Sequence, residues 1–151
     1  MTRRSVRMAI AAAAVAGAIA GCGGGSQLST NSLRNQASRV CRTAVVRTNR
    51  IPTPNSPAGT ATFLQRGVAV LRPELRQLRS LHPPSDDADV YSTAIDAFSH
   101  KLTLLGNAIR GIDRGKDPVI AIKTLQQGLA PTESTEDGAW QALEIPACMN
   151  R

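Results

Sequence analysis

The sequence predicts an all-α fold, a four-helix up-and-down bundle whose second and fourth helices are interrupted by proline. Apolar residues recur at steps of three and four in four successive segments, which is the spacing of one helix face. Stretches rich in proline and glycine separate these segments. No segment alternates polar and apolar residues as a strand would. Together these observations predict helices and no sheet.

The first helix is predicted from Ser29 to Asn49. Its apolar face carries Leu33, Ala37, Val40 and Ala44, at steps of four, three and four. The stretch from Ile51 to Gly59 contains three prolines, so it can continue neither a helix nor a strand. We expect this stretch to be the longest loop.

The second helix is predicted to begin with Thr60 or Thr62 as its cap. The apolar face that follows consists of Leu64, Val68, Leu71, Leu75 and Leu78. Pro73 lies within it and cannot donate a backbone hydrogen bond, so we expect the helix to kink there or to split in two. The run His82-Pro83-Pro84 should end the helix.

The third helix has the clearest periodicity in the chain, and we expect it to be the most buried element. Its apolar positions are Ala88, Tyr91, Ile95, Phe98, Leu102, Leu105, Ile109 and Ile112. Three aspartates precede or open this segment, where the helix dipole favours negative charge: Asp86, Asp87 and Asp89. Gly115 should end the helix.

The fourth helix is predicted to start at Asp117-Pro118, a cap followed by proline in the first helical position. Its apolar face contains Ile122, Leu125 and Leu129, then resumes at Ala139 and Leu143 after a kink or break at Pro131. Only Gly115 and Lys116 separate it from the third helix. Such a short connection predicts antiparallel neighbours.

The amino-terminal segment has the features of an export signal. Arg3, Arg4 and Arg7 precede an apolar run from Met8 to Ala20, and small residues follow. The run of 13 residues would span about 20 Å as a helix, which is short of the ~30 Å hydrocarbon core of a membrane. A twin-arginine route is an alternative to general export. We therefore expect a cleaved leader and not a membrane-spanning anchor.

The quartet Ile19-Ala20-Gly21-Cys22 resembles the lipobox of bacterial lipoproteins. The resemblance implies diacylglycerol on the thiol of Cys22, cleavage before it and acylation, for example by palmitate, of the new amino terminus. It divides the chain into a signal peptide (1–21), a Gly/Ser-rich flexible tether (22–28) and a helical domain (29–151). The implied location is the outer face of the cytoplasmic membrane, with the outer membrane as the alternative.

The net charge of +7 is partly due to the leader. Without its three arginines, 15 basic residues remain against 11 acidic ones, a net charge of +4. The basic residues concentrate before residue 80, which could favour anionic head groups or only a solvated helix face. One Trp, one Tyr and two Phe are too few for stacking on bases. With export, this composition argues against a nucleic-acid partner.

Cys41 and Cys148 are the remaining cysteines. In an exported protein the simplest prediction is a disulfide between them, with free thiols or a metal pair as alternatives. His82 and His100 lie 18 positions apart and show no ligand spacing with the cysteines. We predict no metal site.

No motif indicates a reaction class or a cofactor. Ser99 beside His100 lacks the G-x-S-x-G turn of a nucleophilic serine, and the glycines of the third helix do not have phosphate-loop spacing. The aspartates near residue 87 lack the glycine and ligand spacing of an EF-hand. We therefore expect a non-enzymatic module that binds an envelope protein or a wall component. The alternative is a carrier or sensor for a small apolar ligand held between the helices.

The helical domain itself resembles small lipoproteins of unknown function from GC-rich bacteria. The features that carry this resemblance are the Pro83-Pro84 turn before a long helix, the junction Gly115-Lys116-Asp117 and the terminal run from Leu143 to Cys148. The resemblance implies a helical fold and assigns no functional residue.

Overall fold

The computed structural model describes residues 26–149. In that range the chain forms the α-helices α1 (Thr30–Thr48), α2 (Thr60–Arg79), α3 (Ala88–Asp113) and α4 (Pro118–Ala142). Short 3-10 turns occupy Pro57–Gly59, Ser85–Asp87 and Pro146–Cys148. No strand occurs between residues 26 and 149. The predicted all-helical class with four helices is confirmed.

The capping residues explain where α1 and α2 begin. The Ser29 hydroxyl accepts a hydrogen bond from the Ser32 backbone N–H at 3.3 Å, and α1 starts at Thr30, one residue after the predicted start. The predicted threonine cap of α2 is wrong: the cap position is Gly59, which makes no side-chain bond, and Thr60 is already helical. The preceding 3-10 turn brings Gly59 into αR geometry, so the chain enters α2 without the extended conformation that a side-chain cap adopts.

Neither internal proline divides its helix. Pro73 lies inside α2 and Pro131 inside α4, and each helix continues on both sides. The predicted split of α2 and the predicted break of α4 are therefore absent. Proline removes a single donor from the hydrogen-bond ladder, and the tertiary packing of the flanking turns can hold the remainder. Leu75 and Leu78 provide such packing just after Pro73.

The junction between α3 and α4 follows the sequence prediction. Gly115 has a φ of 91°, which favours glycine, and its N–H bonds the Ile112 carbonyl at 2.9 Å. The Lys116 N–H bonds the Gly111 carbonyl at 3.0 Å, which completes a Schellman end. Asp117 then caps α4, since its Oδ1 accepts hydrogen bonds from the N–H groups of residues 119 and 120. The chain thus reverses within three residues.

The carboxyl end of α4 uses the same motif with a different residue. Glu144 has a φ of 57° and occupies the left-handed position that Gly115 occupies after α3. The Ile145 N–H bonds the Trp140 carbonyl at 2.9 Å. Arg34 of α1 holds the turn: its Nε donates to the Leu143 carbonyl at 2.9 Å, and its guanidinium lies 2.7 Å from the Glu144 carboxylate. The turn therefore lies against α1.

The disulfide between Cys41 and Cys148 is confirmed. Its Cα atoms lie 5.2 Å apart, and both residues are fully buried. The bond joins the middle of α1 to the turn at Pro146–Cys148, which packs on α1. The segment that follows α4 is therefore part of the core.

The hydrophobic core lies at the end of the molecule that contains the start of α1 and the end of α4. Phe98 and Trp140 are its largest fully buried apolar side chains. The ring of Tyr91 meets that of Trp140 edge-on, with centroids 5.7 Å apart, and the Tyr91 hydroxyl donates to the Leu78 carbonyl at 2.7 Å. Leu33 and Ala37 of α1 close the cluster.

Burial along α3 is uneven. Between Tyr91 and Lys101 the inward positions are buried, whereas Leu105, Ile109 and Ile112 are only partly buried. The expectation that α3 is the most buried element is therefore wrong: α2, α3 and α4 each have six buried residues, and α2 is the shortest of the three helices. At the tip of the α3–α4 pair the side chains of Val119 and Ile120 are 63% and 57% exposed.

Candidate functional site

A buried ion pair joins α3 and α4 next to the hydrophobic core, on the side toward the Gly115 turn. The Nζ of Lys101 lies 2.7 Å from Oε2 of Glu136, and their side chains are 7% and 1% exposed. The other carboxylate oxygen of Glu136 accepts a hydrogen bond from the indole N–H of Trp140 at 3.4 Å. Glu133, one turn earlier in α4, places a carboxylate oxygen 3.7 Å from the same Nζ. Lys101 therefore lies between two carboxylates.

A second acidic side chain, that of Glu74 in α2, is buried like that of Glu136. Glu74 is only 3% exposed, on a helix that packs directly against α3. It lies one turn beyond Leu71, which shares a pocket with Lys101. Buried ionic groups of this kind contribute little net stability, because their desolvation offsets their attraction. Buried charged groups beside a cleft are common at functional sites, so the part of the bundle around Lys101 is a candidate site.

The pocket has a volume of about 280 Å³ and lies between the helices beside Lys101. It is lined by Thr48, Ile51, Phe63, Leu64, Gly67, Leu71, Lys101, Leu105, Leu129 and Glu133. The lining side chains are mostly aliphatic or aromatic, and Lys101 and Glu133 supply its charged groups. An apolar cleft with a few convergent polar groups is the usual form of a small-molecule site.

Gly67 leaves space in the wall of this pocket. A Cβ placed on Gly67 would meet no atom within 4 Å. The loop after α1 contributes Ile51, which is partly buried because the proline-rich stretch returns the chain toward α2. Phe63 and Leu105 are also only partly buried, so part of their surface borders the pocket. The cavity therefore arises from one missing side chain and from apolar neighbours that do not close over it.

A second depression, of about 750 Å³, opens broadly to solvent between α3 and α4. Thr132 there lies 3.2 Å from Nδ1 of His100, and Asp96 lies one turn before His100. His100 and Asp96 are exposed. His100 thus lies on the polar side of α3, as predicted, in a shallow groove less suited to enclosing a ligand than the pocket at Lys101.

The residues singled out in the sequence do not converge on one site. Cys22 lies outside the described residues 26–149. Cys41 and Cys148 form the disulfide, and His82 is exposed in the loop after α2. Asp87 accepts a hydrogen bond from the Thr30 hydroxyl at 2.9 Å, which joins α1 to the start of α3. Between residues 26 and 149 no three His, Cys, Asp or Glu side chains form a group that could hold a metal ion.

The buried charges were missed in the sequence, although the helical register contains a signal for one of them. Continuing the α4 stripe from Leu125 and Leu129 by steps of three and four reaches Thr132 and Glu136 before Ala139. Thr132 and Glu136 are both buried. The stripe therefore runs without a gap through Pro131. Counting apolar residues alone hides this continuity.

Known proteins offer no guide to this site: no protein-family model, no curated protein and no solved structure matches the chain. Over the described residues, none of the helices is both long enough and apolar enough to cross a membrane.

The stability of the protein should depend on pH through Glu136. Burial raises the pKa of this carboxyl, against the opposing charge and hydrogen bond of Lys101 and the hydrogen bond of Trp140, with Asp137 raising it further. The native state therefore holds this proton more tightly than the unfolded state. Its contribution to stability is fully present below the ordinary pKa of 4.5 and is lost as the pH rises through the higher native pKa.

Urea unfolding measured from pH 4 to pH 8 in the parent and in Glu136→Gln checks this prediction. As the pH rises, the parent should lose unfolding free energy relative to Glu136→Gln, because Gln cannot titrate. Glu144→Gln is the matched control, since the Glu144 side chain is 69% exposed. Glu144 follows the carboxyl end of α4 and does not line the pocket. Parallel curves for the parent and Glu136→Gln would contradict the prediction.

Proposed function

We propose that this protein is a lipid-anchored, non-enzymatic binding module on the outer face of the bacterial cytoplasmic membrane. The quartet that ends at Cys22 supports the anchor. Leu28 belongs to the folded domain, because its N–H bonds the His82 carbonyl at 2.8 Å and its side chain packs against the core. The tether before it, residues 22–27, would reach about 20 Å when extended, so the helical domain can stand clear of the head groups. A diacylglycerol and an amide-linked acyl chain together give stable attachment, whereas a single chain does not.

The proposal includes the arrangement of the helices. We propose that α1 to α4 run alternately up and down, with bends at Pro73 and Pro131. The three-residue junction between α3 and α4 supports this topology, as does the packing of each helix on the next one in the chain. In that arrangement the tether leaves the end of the domain opposite the Gly115 turn.

The observation that carries the binding function is the apolar pocket of about 280 Å³ beside Lys101 and Glu133. A domain without a ligand would gain stability by filling this space, because side chains in protein cores pack closely. Pockets for drug-sized molecules occupy ~300–1,000 Å³. The pocket therefore favours the role of carrier or sensor for a smaller, largely apolar molecule.

Analysis of the bound molecule tests this function. Small molecules extracted from the purified, denatured protein should include a compound that is depleted in extracts of Gly67→Leu, whose side chain would occupy the pocket. The covalent acyl chains remain with both proteins and serve as an internal reference. Identical extracts from the two proteins would contradict a small-molecule carrier.

A second candidate is an envelope protein or wall component bound at the surface. The observation that favours it is the exposure of Val119 and Ile120 at the tip of the α3–α4 pair. Exposed apolar side chains that lie together are a common feature of interaction surfaces. A photo-crosslinking residue at position 119 should then capture one partner in intact cells, whereas the same residue at exposed Arg42 should not.

Lipidation itself gives a prediction. Cys22→Ser should leave the full-length precursor in the membrane, because serine has no thiol for the diacylglyceryl transfer that precedes cleavage in lipoproteins. Intact-protein mass spectrometry of the membrane and soluble fractions measures this. Cys41→Ser is the matched control and should still be processed. A correctly cleaved, soluble product from Cys22→Ser would indicate an ordinary secretory signal instead.

A further inference from the structure

Negative charges outnumber positive ones beside the pocket. Lys101 is the one cationic side chain among the described residues that line it, and Glu133 is the acidic one. Glu136 shares Lys101 with Glu133, at 2.7 Å and 3.7 Å from Nζ. The ammonium group of Lys101 therefore has two carboxylate neighbours, of which Glu133 lines the pocket and Glu136 lies behind it in the protein interior.

The two carboxylates differ in how they can meet a ligand. Glu136 is enclosed, with Lys101 on one oxygen and Trp140 on the other. Glu133 lines the pocket, and its side chain is 42% exposed. Its 3.7 Å separation from Nζ exceeds an ordinary hydrogen-bond length. Glu133 is therefore the group at which a bound molecule would be recognised.

We propose that the pocket binds a small molecule with an apolar body and a protonated amine, the amine facing Glu133 and the apolar body lying among Phe63, Leu71 and Leu105. This inference rests on the proposed function, namely that the pocket holds a small molecule. A ligand ammonium group supplies a second cation to a site with an excess of carboxylate, and hydrogen bonds between charged partners are stronger than neutral ones. The aliphatic and aromatic walls take up the apolar part.

The same charges disfavour an anionic ligand. A carboxylate in the pocket would approach Glu133 and would compete with the enclosed Glu136 for Lys101, which Glu136 already contacts at 2.7 Å. Like charges brought together in a partly buried site repel each other, and each also loses water. A neutral alcohol can donate one hydrogen bond to Glu133 but carries no compensating charge. The expected order of affinity is therefore amine, then alcohol, then carboxylate.

Three probes of similar size and shape test this order: 2-phenylethylamine, 2-phenylethanol and phenylacetate. Each is titrated by ligand-observed NMR at pH 7 into the full lipidated protein in nanodiscs, with empty nanodiscs correcting for partition into lipid. The amine should bind about three- to tenfold more tightly than the alcohol, the range for a charged partner at a partly exposed carboxylate. Phenylacetate should bind most weakly.

Three variants assign the effect to the pocket. Glu133→Gln should bring the affinity for the amine down to that for the alcohol, while binding of the alcohol persists. Asp96→Asn removes one negative charge in the open groove and should leave the preference unchanged. Gly67→Leu should abolish binding of all three probes and raise Tm, because leucine favours a helix more than glycine does and has room there. A higher Tm shows that lost binding is not lost folding.

The possible failures are distinguishable. If the alcohol or phenylacetate binds the parent as tightly as the amine, or if Glu133→Gln keeps the preference, the amine assignment is wrong, while pocket binding stands so long as Gly67→Leu blocks it. If no probe binds the parent, or if Gly67→Leu binds all three as the parent does, the small-molecule function fails and the amine assignment with it.

Discussion

Cys148→Ser should lower the free energy of unfolding by about 2 to 5 kcal/mol. The disulfide closes a loop of 107 residues, for which the chain-entropy model gives about 4 to 5 kcal/mol. Folded domains possess only ~5 to 15 kcal/mol in total. Both half-cystines are fully buried, so the variant would also place hydroxyl and thiol groups in the core. The loss would be a large share of the stability of the domain.

Urea unfolding of the oxidised parent, Cys148→Ser and the double variant Cys41→Ser/Cys148→Ser measures this effect. The bond is lost once, so the double variant should lose much less than twice as much as the single one. The slope of free energy against urea should increase in both, because the unfolded chain without the cross-link exposes more surface. An unchanged midpoint in Cys148→Ser would show that the tail contributes nothing to stability, despite its position against α1.

Phe98→Ala should cost about 3 to 5 kcal/mol, through the lost transfer energy of the ring and the cavity that it leaves. The Phe98 side chain is 1% exposed and lies in the cluster formed by α1, α2, α3 and the end of α4. Core residues of the same cluster, such as Trp140, are fully buried and closely packed, so little collapse into the space is expected. Far-UV circular dichroism during urea unfolding gives the measurement.

Ile109→Ala in the same helix is the matched control. Both positions belong to the stripe read from the sequence, but Ile109 is only partly buried. Its loss should therefore be smaller, since less apolar area leaves contact with the protein. A loss at Phe98 below 1 kcal/mol, or equal losses at the two positions, would contradict the burial gradient along α3.

The helix boundaries could be predicted because their causes are local. Each cause acts on backbone groups within four residues. These causes are the Ser29 hydroxyl, the Asp117 carboxylate and the ability of Gly115 to adopt a positive φ. The cap of α2 could not be read in this way, because the 3-10 turn before it determines the geometry of Gly59. Pro73 was expected to kink α2 or to split it in two, and the split does not occur, because packing on both sides of the proline can hold the helix together.

The candidate site could not be predicted from the sequence. Lys101 adjoins the apolar stripe of α3 and would ordinarily be placed in solvent, since lysine is seldom fully buried without a partner. Its partner Glu136 lies 35 positions away on another helix, and the pairing depends on how α3 and α4 pack. The pocket likewise requires Ile51, Gly67 and Leu129 from separate elements.

The sequence by itself determined the helical class, the four segments and the disulfide, with Cys22 remaining a predicted anchor. These follow from periodicity, from capping chemistry and from a count of two cysteines, each of which is contained in a short stretch or a composition. Only the tertiary structure decided which charges are buried, that Glu144 adopts a φ of 57° and that a cavity remains beside Gly67. Burial and empty volume depend on surfaces that packing brings together from distant parts of the chain. The residue types of one short stretch therefore do not determine them.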